Sequence, residues 1–168
     1  KGGSLLLSVG SGNTGQGGNI DIIGGETTDA ASGGMFMLTT GYSTKTSSGH
    51  MVLETANAGS AGVSGSVQVN TGTASAGTSG SLTLNTGHAT GGKGGDMVLS
   101  VGTGTTGTGG DVAITAGETT DSASGGSMTL RTGYSTKTSS GSLYIDTPNA
   151  GTAGVSGAIR MQTGIATA

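Results

Sequence analysis

A repeat nested inside a longer repeat constrains this chain more than any other feature. The segment KGGSLLLSVGSG at Lys1 starts again as KGGDMVLSVGTG at Lys93, and the match continues through GETTD, GYSTKTSSG and an NAG-x-AGVSG block in both copies. Within this unit of about 92 residues, a glycine, an alternating aliphatic run and Thr-Gly return about every 15–16 residues. Such periods mark stacked-repeat folds, because one repeat cannot bury its apolar face alone.

Coils open at Gly2, Gly17, Gly33, Gly49, Gly65 and Gly80, then at Gly94, Gly109, Gly125, Gly141 and Gly157. Even the irregular spacings recur with the long period, which points to a duplicated unit of about six coils. Residues 1–92 form the first unit and 93–168 a second, truncated one, read together as one continuous solenoid cut from a longer repetitive chain.

Each opening glycine leads into a period-2 alternation, the pattern of a half-buried β-strand. Aligned by coil, the first inward column is Leu5, Ile20, Phe36, Met51, Val67, Leu82, Met97, Val112, Met128, Leu143 and Ile159. The second is Leu7, Ile22, Leu38, Leu53, Val69, Leu84, Leu99, Ile114, Leu130, Ile145 and Met161. A third, mostly threonine, runs from Val9 through Thr40, Thr55, Thr71 and Thr86 to Thr163 and precedes a turn. No residue of the first two columns is polar. The other half of each coil is small or polar, so the expected fold is all-β. It is a flat, two-faced parallel β-solenoid (β-helix) with coils stacked about 4.8 Å apart.

Composition narrows the alternatives. Glycine supplies 38 of 168 residues and aromatics 2%, too few large side chains for a globular core of ordinary thickness. A glycine/serine-rich linker has no reason to place aliphatics periodically. With charged residues at 9% and a net charge of −3, no basic patch offers itself to nucleic acid. No apolar run is long enough to span a bilayer.

If coils stack in register, outward neighbours on adjacent coils should be chemically compatible. The alignment sets Asp29 beside Lys45, Asp121 beside Lys137, Arg131 beside Asp146, and Asn70 beside Asn85. Leu6, Met37, Val52 and Val98 form an outward apolar stripe suited to lateral contact.

Motifs that carry chemistry are weak. GGNID, GGDMV and GGDVA lack the Asp recurrence of calcium-binding β-rolls, and GSGNTG lacks the Lys-Ser/Thr of a phosphate loop. His50 and His88 sit on different coils without a carboxylate or cysteine cluster. No catalytic residue, cofactor or metal ligand is assigned, and the chain is not read as an enzyme.

The SGS-aliphatic-x-aliphatic-x-TG pattern, with GETT, ATGGKGG and NAG-x-AGVSG, resembles glycine-rich tandem repeats of microalgal (diatom-like) surface or secreted proteins. The resemblance covers essentially the whole segment. It implies an extracellular or cell-surface location and a fibre or coat, with no catalytic residue. GYSTKTSS at Tyr42 and Tyr134 is similar, more weakly, to ice-nucleation repeats, but the threonine array is interrupted on neighbouring coils.

The expected function is therefore a rigid, self-associating repeat of an extracellular filament or cell-surface fibre. Its partners are further copies of the chain, with surface glycans a second candidate. The alternative is the stalk of an adhesin or ligand-binding surface protein, with ice binding ranked below it.

Overall fold

The computed structural model describes residues 2–166. Its recurrent element is a loop whose two ends meet. Sharp bends fall at 13–15, 28–31, 44–46, 60–62, 75–77, 90–92, 105–107, 120–123, 136–138 and 152–154. The first four reappear 92 residues later, so the backbone follows both the short and the long period. Between bends the chain runs unbent through the aliphatic columns.

Each loop starts at a third-column residue and returns to a glycine nine or ten positions on. The approach is close because glycine carries no side chain. A methyl group added to Gly49 would lie 3.4 Å from Cβ of Thr40, and one added to Gly80 would lie 3.5 Å from Cβ of Thr71. At two positions there is no room at all: a Cβ on Gly18 or Gly110 would fall 2.7 Å from Cγ1 of Val9 or Val101.

The chain divides into two units, Lys1–Leu84 and Asn85–Ala168. In the first, the amide of Gly34 donates to the carbonyl of Gly25 at 2.8 Å, and Gly49 donates to Gly41 at 3.0 Å. In the second, Gly126 donates to Gly117 at 2.8 Å, and Gly141 to Gly133 at 3.0 Å. Thr147 closes its own loop through the side chain, with Oγ1 donating to the carbonyl of Gly157 at 3.1 Å.

The expected all-β architecture is overturned. Among the described residues there is no strand and no helix, so the chain is neither a β-solenoid nor a β-helix. The backbone hydrogen bonds among those residues span two, eight or nine positions and stay within single loops. None bridges the 15–16 residues between coils, and a stacked sheet requires such bonds.

The physical reason is a poor exchange of burial for order. Fixing a backbone costs about 1–2 kcal/mol per residue, with glycine at the high end. The exposed surface is 17112 Å² for a mass of 15.8 kDa. A compact chain of that mass would expose about 7,300 Å² and an unfolded one about 22,900 Å². Alternation sets which side chains share a face, but one thin layer of aliphatics removes too little surface from water to hold the stack.

Candidate interaction surface

The loops owe their local order to short polar side chains that bond the backbone. In the loop around 44–46, Oγ of Ser43 accepts from the amides of Lys45 at 3.3 Å and Thr46 at 3.0 Å, and lies 3.0 Å from Oγ1 of Thr46. Ser135 repeats this toward Lys137, Thr138 and the Thr138 hydroxyl at 3.2, 3.0 and 3.1 Å. Around 28–31, Oγ1 of Thr27 accepts from the Asp29 amide at 3.2 Å, and Oδ1 of Asp29 accepts from the Ala30 amide at 2.8 Å. The Ala31 amide then donates to the Asp29 carbonyl at 2.8 Å, closing a three-residue turn. Thr119, Asp121, Ser122 and Ala123 reproduce the pattern.

The ladder residues Leu7, Ile22, Leu38, Leu53, Val69, Leu84, Leu99, Ile114, Leu130, Ile145 and Met161 are all exposed. So are Leu6, Met37, Val52 and Val98 of the outward stripe. No side chain among the described residues is buried. The least exposed positions are the loop-opening residues Thr40, Ala116 and Thr132, and the residues just before a bend, Ser43, Ala89 and Ser135.

The coil-to-coil pairs Asp29–Lys45, Asp121–Lys137, Arg131–Asp146 and Asn70–Asn85 make no hydrogen bond or ion pair among the described residues. The ion pair that does form is local: Nζ of Lys93 lies 2.7 Å from Oδ1 and 2.9 Å from Oδ2 of Asp96. Both side chains are largely exposed, so its worth is about 0–1 kcal/mol.

Sequence reasoning missed the loop mouths. Their signal was present as a third-column residue followed by a glycine nine or ten positions later. The third column reads in sequence as an inward ladder, whereas Thr40, Thr55, Thr71, Thr86, Thr132 and Thr147 neighbour the glycine that ends the same loop.

Among the described residues there is no cavity and no group of three or more metal-ligating side chains. Among those residues no helix is long and apolar enough to cross a membrane. What the surface presents is apolar side chains in fixed sequence positions, separated by uncharged or weakly charged polar loops. No protein-family model, curated protein or solved structure matches the chain.

Proposed function

We propose that this chain is a self-associating structural repeat of an extracellular filament or cell-surface fibre. One observation carries the reading. Two aliphatic columns recur through the chain, yet every one of their described residues faces water. Soluble monomers rarely leave so much apolar surface uncovered, and extended exposure of this kind marks an interaction surface. Copies of the chain are the natural cover, because each brings the same columns at the same spacing.

Low charge favours this assembly, since charged residues make up only 9% of the chain and set up little repulsion between copies. The microalgal resemblance supports the surface location. Sedimentation velocity across a concentration series, followed by electron microscopy, tests the reading. Concentration-dependent growth into filaments is the expected result. A chain that stays monomeric at every concentration would move the assignment to the stalk of a surface protein.

A further inference from the structure

The longest uninterrupted apolar run among the described residues is Met35, Phe36, Met37 and Leu38. It is exposed on both faces: Met35 and Met37 at 80% and 69%, Phe36 and Leu38 at 60% each. Its counterpart in the second unit reads Ser127, Met128, Thr129, Leu130. The inward residues stay apolar there, while both outward methionines have become hydroxyl side chains.

Loop closure does not explain the difference. The loop before the run closes through Gly34 and Gly25 at 2.8 Å, and its counterpart closes through Gly126 and Gly117 at the same distance. The loops after the two runs match as well, at 3.0 Å each. Met35 and Met37 therefore do nothing for the local fold that serine and threonine do not also do. Their apolar surface is free for a partner.

We infer that the run 35–38 is a docking site for a second copy of the chain, with the two runs paired antiparallel about a two-fold axis at Met37. The proposal rests on the self-association reading above and adds its location and geometry.

Charge selects the antiparallel arrangement. The loop 25–34 carries Glu26 and Asp29, the loop 41–49 carries only Lys45, and the run between them is uncharged. Asp29 and Lys45 lie eight residues on either side of Met37. An axis at Met37 sets the acidic loop of each copy against the basic loop of the other, twice over. Parallel pairing would set acid on acid and base on base, which repels.

The same axis places Met37 against Met37 of the partner copy, Phe36 against Leu38, and Met35 against Thr39. Opposite residues in such a pair share a face, and the inward and outward sets match.

The test copies the second unit's own solution into the first. The variant M35S/M37T keeps both loops and should raise the self-dissociation constant at least tenfold by sedimentation velocity. S127M/T129M should lower it. The natural chain has no cysteine, so engineered thiols report the pairing cleanly. Met37→Cys should form a disulfide with itself, and Met35→Cys should cross-link to Thr39→Cys in a mixture of the two variants.

Association unchanged in M35S/M37T would overturn the site while leaving the self-association reading intact. Met35→Cys bonding to itself and not to Thr39→Cys would overturn the antiparallel geometry. A natural chain that never associates would remove both readings together.

Discussion

Gly34 donates its amide to the carbonyl of Gly25 at 2.8 Å, and a Cβ on Gly34 would sit 3.0 Å from the Gly25 nitrogen. Two glycines thus close a loop through a backbone approach that a side chain would obstruct. Neither backbone atom can swing aside as a side chain would.

Gly34→Ala is accordingly expected to open this loop, at about 1–3 kcal/mol, the range for overpacked sites. Amide exchange at residue 34 should quicken. Gly126→Ala should cost less, because its nearest atom, the Gly117 nitrogen, is 3.2 Å away. Gly10→Ala, with nothing within 4 Å, is the control and should leave exchange unchanged.

At Gly18 the obstructing atom belongs to a side chain, Cγ1 of Val9 at 2.7 Å. Gly18→Ala should separate the loop ends, and adding Val9→Ala should bring them back. A double-mutant cycle read by NMR chemical shifts should give a coupling of about 0.5–3 kcal/mol. Strict additivity would show that the two residues do not meet.

Ser43 holds its bend by accepting two backbone amides at 3.3 and 3.0 Å. Ser43→Ala should cost this loop about 0.5–1.5 kcal/mol, the net worth of an ordinary hydrogen bond, with faster exchange at Thr46. Ser43→Thr retains the acceptor and should restore the slower rate. The Ser135 loop should not respond.

Gly15 and Gly107 take φ values of 75° and 77°, a region that most side chains avoid and asparagine tolerates. Gly107→Val should shift the resonances of the bend at 105–107 and cost about 1–2 kcal/mol. Gly107→Asn should change both much less. Equal effects would mean that backbone conformation is not what glycine supplies there.

Hydrogen peroxide should weaken association by transferring one oxygen to each exposed methionine sulfur and leaving as water. The sulfoxide is polar where the thioether was apolar. Sedimentation should show a larger loss for the natural chain than for M35S/M37T. An equal loss in both would assign the effect to Met51, Met97, Met128 or Met161.

Much of this protein could be read from residue order, though not its three-dimensional arrangement. The coil period was visible in the opening glycines, and it reappears as the spacing of the bends. The long period was visible in the return of Lys1 at Lys93 and reappears in the matching loops of Ser43 and Ser135. The loop mouths were missed because Thr40 and Thr71 fitted an inward ladder equally well. A column alignment cannot separate a threonine that faces its neighbour coil from one that faces the glycine ending its own loop.

Sequence alone determined the period and the segregation of aliphatic from small residues. These depend on interactions within a few residues: glycine's freedom, the reach of a serine hydroxyl, the two-residue alternation of side chains. Only the tertiary structure decided that the coils do not stack and that Gly34 meets Gly25. Stacking depends on whether buried area outweighs the entropy of ordering the whole backbone. In a chain with 38 glycines and no buried side chain among its described residues, entropy wins between coils, and order survives inside the loops, where the ends to be joined are nine or ten residues apart.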